Sequence, residues 1–201
     1  MKMVQDYYAA FGFEDYSFRL SLWDPKKTEK YIDQPENWKK SEDRLRQIMD
    51  DLGVVYTESV GEAAFYGPKV DIQFKTALGR EESMSTIQLD FAAKERFGLS
   101  YMDENGNQND EVLVIHRAPL STHERFVAFL TEHWMGNFPT WISPTQVQII
   151  TISERHADYA GEVASRLREH KVRVAVDDSD STIGRKIRTH RKMRPLSLIH
   201  I

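Results

Sequence analysis

The 201-residue sequence contains no cysteine, which excludes disulfides and thiolate chemistry and leaves histidine and carboxylates as its only side-chain metal ligands. No apolar run approaches the length of a membrane span, and the opening residues, with Lys2, Gln5 and Asp6 among apolar ones, lack the core of a signal peptide. A cytoplasmic protein is expected on these grounds. Internal repeats and long low-complexity segments are also missing, which excludes solenoids and linker-like chains. Charge of one sign is scarce overall: a formal net charge of −4 argues against a wholly basic nucleic-acid coat, although the charge is unevenly spread. What is present, 40% hydrophobic and 29% charged residues, suffices for a sizeable core in one large or two small globular domains.

Met3, Val4, Tyr7, Tyr8 and Phe11 fall at helical spacing and end at Gly12, so the chain begins inside a helix, with no capping residue ahead and a suggestion of sequence upstream. Tyr16 to Trp23 alternates as a strand, with Ser17, Arg19 and Ser21 on its polar face. Pro35 opens a helix whose stripe is Trp38, Leu45, Ile48, Met49 and Leu52. Val54–Thr57, Val70–Phe74, Thr86–Phe91 and Val112–Ile115 then read as strands of an antiparallel sheet, and the polar tract Asp103 to Asp110 as a mobile loop or turn. Two helices before several strands predict an α+β fold for residues 1–143. The prolines of Phe138 to Pro144 mark the boundary, and residues 144–201 change rhythm. There, strands at Val147–Ile152 and Val172–Val176 flank a helix capped by Ser153, the βαβ pattern of an α/β domain. A last helix from about Ser181 carries Arg185, Lys186, Arg188, His190, Arg191, Lys192 and Arg194 with no acidic residue.

Three stretches carry unusual polar residues. In Val114 to Phe126 an apolar run ends in His116 and Arg117, Pro119 breaks the strand, and Ser121 with Glu124 forms a capping-box pattern. A helix start offers free N–H groups and partial positive charge, so Arg125 in its first turn would strengthen a phosphate site; a merely capped core helix fits the same pattern. In Glu62 to Asp71, Gly67-Pro68 forces a turn that sets Tyr66 and Lys69 on either side, whether for binding or as a plain hairpin. In Gln88-Leu89-Asp90-Phe91 the glutamine faces away from Ile87 and Leu89, able to donate and accept.

Together, Ala-Phe-Tyr-Gly-Pro-Lys-Val-Asp, Thr-Ile-Gln-Leu-Asp-Phe and Ile-His-Arg-Ala followed by Glu-Arg-Phe resemble the threonyl-tRNA synthetases, class II aminoacyl-tRNA synthetases, in which these phrases occur in this order. The likeness runs through Phe-Pro-Thr-Trp into Ile-Gly-Arg-Lys-Ile-Arg. It implies part of a class II antiparallel sheet with helices, then part of an anticodon-binding domain. It also implies activation of threonine with ATP and Mg²⁺, transfer to tRNA(Thr), and a homodimer for the full-length protein. Under this resemblance His116 is one of three zinc ligands, the other two lying upstream, and threonine would chelate the metal through its amino and hydroxyl groups as valine cannot. Arg125 would grip the terminal phosphate; Tyr66, Lys69 and Gln88 would line the amino-acid and adenylate pocket, with Thr122 near the adenine or the pocket floor. His123, His133 and His156 match no ligand position. Arg185, Lys186 and Arg188 would meet tRNA phosphates, a solvated helix being the plain alternative.

The resemblance also implies that motif 1, motif 2 with its ATP-binding arginine, and two zinc ligands are not in this sequence, so that the chain by itself is expected to be inactive. Two departures stand out. Glu82-Ser83 occupies the place where the family often has Trp-Gln, and Pro195 to Ile201 departs from the strand and helix that would follow the basic helix. Another class II synthetase, of prolyl or seryl type, or a non-catalytic RNA-binding relative, are the alternatives.

Overall fold

In the computed structural model, residues 1–76 and 79–201 are described. Contacts divide the chain into two units, Met1–Val127 and Ala128–Ile201. The expected boundary at residue 143 lies inside the second of these.

The first unit is built on a five-stranded sheet. Its strands are β1 (Tyr16–Leu22), β2 (Tyr56–Val60), β3 (Lys69–Lys75), β4 (Glu81–Asp90) and, after a small two-stranded hairpin, β7 (Val114–Ala118), in the order β2-β1-β3-β4-β7. Three of the four pairings are antiparallel, as expected, but β1 and β2 run parallel, because the helix α2 (Pro35–Asp51) crosses over between them. Helix α1 (Lys2–Phe11) ends as read, with Gly12 left-handed at φ 71°, a conformation that spares glycine the Cβ clash.

One face of the sheet is the core. Phe18, Leu20 and Leu22 of β1 and Val70, Ile72 and Phe74 of β3 alternate onto it and are buried. Tyr8 of α1 reaches the same side, sharing a 2.6 Å hydrogen bond with Ser85 Oγ; burial pushes its phenol up to about 12. In α2 only Trp38, Met49 and, in part, Leu45 of the expected stripe turn inward, while Ile48 and Leu52 are exposed. Trp38 stacks on Trp23 at 5.4 Å and meets Tyr31 and Phe91 edge-on, closing an aromatic cluster.

The tract expected as a mobile loop or turn forms the turn, closing the hairpin β5 (Tyr101–Met102) with β6 (Gln108–Asn109). Asp103 Oδ1 accepts the N–H groups of Asn105 and Asn107, and Gly106 takes φ 80°, so polar residues here make a turn rather than a mobile segment. Helix α3 (Ala93–Phe97) lies just before it.

Helix α4 (His123–Trp134) leads across into the second unit, a three-stranded parallel sheet of order β10-β8-β9. Its strands are β8 (Val147–Ile150), β9 (Val174–Asp177) and β10 (Ser197–His200), with α5 (Ala157–Glu169) and α6 (Ile183–Lys192) between them. Ile149, Ala160 and Ala164 form its buried centre. Ser153 makes no cap bond; a 3₁₀ turn, Glu154–His156, precedes α5. The tail that departs from the family pattern nevertheless folds as the strand β10, Ser197 opposite Val147 and His200 opposite Ile150, because Leu198 and Ile199 supply a short apolar run at an open edge.

Candidate active site and cationic helix

The side of the first sheet opposite the core carries polar residues in rows. Ser21 stands opposite Lys69, Lys69 opposite Gln88, and Gln88 opposite His116, so one row crosses four strands. The next row holds Arg19, Asp71, Thr86 and Ala118. The side-chain period of two places both rows on the same face. Of the expected site residues, Lys69, Gln88 and His116 are thus brought side by side by ladder register alone.

Tyr66 joins them through the Gly67-Pro68 turn. The turn docks on β4, Leu89 N–H donating to Pro68 O and Phe91 N–H to Tyr66 O. A Cβ on Gly67 would lie 1.7 Å from Leu89 O, so only glycine permits this approach. The Tyr66 hydroxyl then donates to Gln88 Oε1, and its ring lies 5.5 Å from the His116 ring. Burial, then the Asp90 charge, raises the Tyr66 phenol, so it is a hydrogen-bond donor at neutral pH.

Two carboxylates that the sequence reading passed over organise the row. Asp71, 1% exposed, accepts at Oδ2 from Ser21 Oγ (2.7 Å), Arg19 Nη2 (3.2 Å) and Lys69 Nζ. Burial alone would raise this carboxyl; the Lys69 ammonium foremost, with Ser21 and Arg19, more than reverses that and holds it below its ordinary value. Asp90 accepts at Oδ1 from the N–H groups of Ala92 and Ala93 and at Oδ2 from His116 Nε2 at 2.9 Å. A carboxylate only accepts, so His116 Nε2 is the donor in this pair and Nδ1 is the ring nitrogen not engaged by Asp90. The signal for both acids was present: each is a charged residue in a strand whose neighbours are apolar on both sides in sequence.

Strand β7 begins at Val114 rather than Val112, so His116 lies at the middle of the strand and not beyond its end. Val112 is spent on a turn, its N–H donating to Asp110 O. The helix start after it is capped by Thr122 and not by Ser121. Ser121 is left-handed at φ 60°, whereas Thr122 Oγ1 accepts the Arg125 N–H at 3.4 Å and Thr122 O takes the first helical bond. The Glu124 carboxyl, held down by its own N–H and then by the Thr122 hydroxyl, adds negative charge at this start. Phe126 packs edge-on against Phe11 at 4.8 Å and anchors the turn. Arg125 is half exposed, its Nη2 donating to Glu82 Oε2 (3.1 Å) and Ser83 O (3.3 Å).

In the second unit the basic helix splits into two faces. Ile183, Lys186, Ile187 and His190 recur at helical spacing on the inward side. Lys186, expected to meet tRNA, is 2% exposed and donates to Thr151 O (3.0 Å), Thr151 Oγ1 (3.1 Å) and Asp177 O (3.3 Å). His190 Nε2 pairs with Asp177 Oδ2 at 2.7 Å. Arg185, Arg188, Arg191 and Lys192 are exposed and form the outward cationic face, whereas Arg194 lies past the helix end and donates to Met135 O.

No group of three His, Cys, Asp or Glu able to hold a metal occurs among the described residues. His116 Nδ1, backed by Asp90, suits one coordination position, since metal-bound imidazoles commonly give their other N–H to a carboxylate; it does not make a site by itself.

Residues 1–134 match the family described as "tRNA synthetase class II core domain (G, H, P, S and T)", and residues 146–196 match "Anticodon binding domain". The chain is 51% identical over 201 residues to the threonine–tRNA ligase of Oceanobacillus iheyensis, covering 99% of this chain and 31% of that protein. It is 52% identical over 189 residues to that of Staphylococcus aureus, covering 94% of this chain and 29% of the relative. A crystal structure titled as the RNA binding domain of threonyl-tRNA synthetase from Cryptosporidium parvum superposes with a TM-score of 0.83 and 34% identity, covering 100% of this chain and 49% of that one.

Proposed function

Because the chain belongs to the class II tRNA synthetase core-domain family, which it matches over residues 1–134, we propose that it forms part of the threonine-activating site and the front of the tRNA-binding domain of a threonine–tRNA ligase. The chain spans about 31% of the length of the curated relative it matches at 51% identity, so the reaction is assigned to the full-length protein. The observation that carries the reading is the polar row Lys69, Gln88 and His116, with Tyr66 over it, on the same unit as Arg125 at a helix start.

In this reading ATP, as its Mg²⁺ complex, and threonine react to threonyl adenylate and pyrophosphate, and the threonyl group then passes to a hydroxyl of tRNA(Thr) with release of AMP, in a homodimer. The threonine carboxylate attacks the α-phosphate, so alignment and charge neutralisation are what the protein supplies. Arg125 holds the terminal phosphate with the positive end of α4 behind it. Lys69, fixed by Asp71, presents its positive charge beside Gln88, and the Tyr66 hydroxyl fixes the Gln88 amide by donating to Oε1, with its NH₂ against Thr86 Oγ1 at 3.4 Å. His116 would hold zinc through Nδ1 together with ligands from elsewhere in the full-length protein. When bound, zinc would supply open positions that only an amino acid with a β-hydroxyl fills as a chelate. Arg185 and Arg188 would meet tRNA phosphates; Lys186 is excluded from that role by its burial.

The test is amino-acid-dependent ATP–pyrophosphate exchange by the full-length protein, with and without His116→Ala. Threonine should drive exchange, and the substitution should lower bound zinc and threonine activation together. Exchange driven by proline or serine instead would overturn the reading, and unchanged metal content in the variant would remove His116 as a ligand.

A further inference from the structure

Glu82 stands where the family often carries tryptophan, and it makes an ion pair with Arg125, Oε2 to Nη2 at 3.1 Å. The pair is monodentate and half exposed, at 49% for the arginine and 45% for the glutamate side chain. Ser83 O accepts from the same Nη2 at 3.3 Å. Both acceptors therefore sit on one corner of a guanidinium that has five N–H donors in a planar fork.

We propose that Glu82 sets the nucleotide affinity of the site by holding the anion position of Arg125 in the nucleotide-free enzyme, from which the terminal phosphate of ATP must displace it. The proposal rests on the reading of Arg125 as a phosphate ligand. An exposed single-bonded pair contributes a factor of only about 1.4 to 5 to an equilibrium. A phosphate that takes the fork in a bidentate, charge-assisted way binds more strongly, so the exchange runs toward nucleotide. Displacement leaves the Glu82 carboxylate beside a polyanion, which costs affinity a second time through like-charge repulsion. The Ser83 carbonyl is neutral and fixed in β4, and it keeps Nη2 aimed in both states.

The experiment measures KM for ATP and for threonine in ATP–pyrophosphate exchange by the full-length protein carrying Glu82→Gln, Glu82→Ala, Arg125→Ala and the Glu82→Gln/Arg125→Ala pair. Both Glu82 variants should lower KM for ATP about two- to fivefold without lowering KM for threonine. That gain should be absent on the Arg125→Ala background. A KM for ATP that rises or stays put in the Glu82 variants, while Arg125→Ala raises it, overturns the displacement and makes Glu82 a brace or a bystander. A gain that persists without Arg125 also overturns it, since the charge would then act on the nucleotide directly. If Arg125→Ala itself leaves KM for ATP unchanged, the phosphate reading of Arg125 is what fails.

Discussion

At the scale of single residues, Asp71 bears the heaviest constraint in the site. One buried oxygen accepts from a hydroxyl, a guanidinium and an ammonium. Asp71→Asn removes the charge that offsets Lys69 and Arg19 and turns an acceptor into a donor against them. Loss of one partner from a buried ion pair leaves the other uncompensated, so a cost of about 2–4 kcal/mol is expected in urea unfolding. The pH dependence follows from the direction of the shift. The folded carboxyl lies below its ordinary value, so the unfolded chain binds more protons as pH falls, and the stabilisation is complete above the unfolded value near 3.9. It declines as pH drops from there through the lowered folded value. Wild type and Asp71→Asn should therefore converge in stability below about pH 3.9. A gap that persists at acid pH would mean that packing, not charge, accounts for the loss.

At the scale of elements, helix α6 separates buried from exposed charges. Lys186 and His190 fasten its inner side to Thr151 and Asp177, while Arg185 and Arg188 point outward. The Asp177 carboxyl is lowered to about 2: burial would raise it, but Ser179 and His190 outweigh that. Lys186→Ala should destabilise the second unit by about 2–4 kcal/mol, because three acceptors lose their donor. Arg185→Ala and Arg188→Ala should leave thermal unfolding unchanged, weaken tRNA binding, and each reduce the slope of log K against log salt by about 0.7–0.9. Lys186 was legible in principle: counted at intervals of three and four it falls with Ile183, Ile187 and His190, yet composition alone groups it with the other bases. The strands were legible in kind but not in extent. Periodicity located the apolar residues of β7, but its start is set by pairing with Asp90 of β4 and by the turn at Asp110. The same limit applies to the site. Tyr66, Lys69, Gln88 and His116 stood out as unusual residues next to turns and strand ends. The apolar neighbours of Asp71 and Asp90 mark both acids in the sequence, but their cross-strand partners Arg19 and His116, like the partner Arg125 of Glu82, come from other elements, and sequence spacing does not reveal them.

For the molecule as a whole, the question is how much of the chemistry 201 residues can perform. The first unit gathers Lys69, Gln88 and His116 on one row and carries Arg125 at a helix start, and the second presents a cationic helix. Adenylate formation asks for more. The α-phosphate needs its charge neutralised at the moment of attack, and the proposed metal selection of threonine would need three protein donors, a group that the described residues do not gather. Alignment contributes its large factors only when both reactants are held together, so a site with part of its ligands loses most of the rate rather than a proportional share. The 201-residue chain, purified alone, should therefore give no threonine-dependent ATP–pyrophosphate exchange above background under conditions in which the full-length protein is active. Its exposed arginines should still bind tRNA, weakly and with steep salt dependence, since phosphate contacts need no catalytic site. Exchange by the isolated chain, abolished by Arg125→Ala, would show instead that the row and the helix start suffice, and would move the source of threonine selectivity from a metal to Tyr66, Lys69 and Gln88.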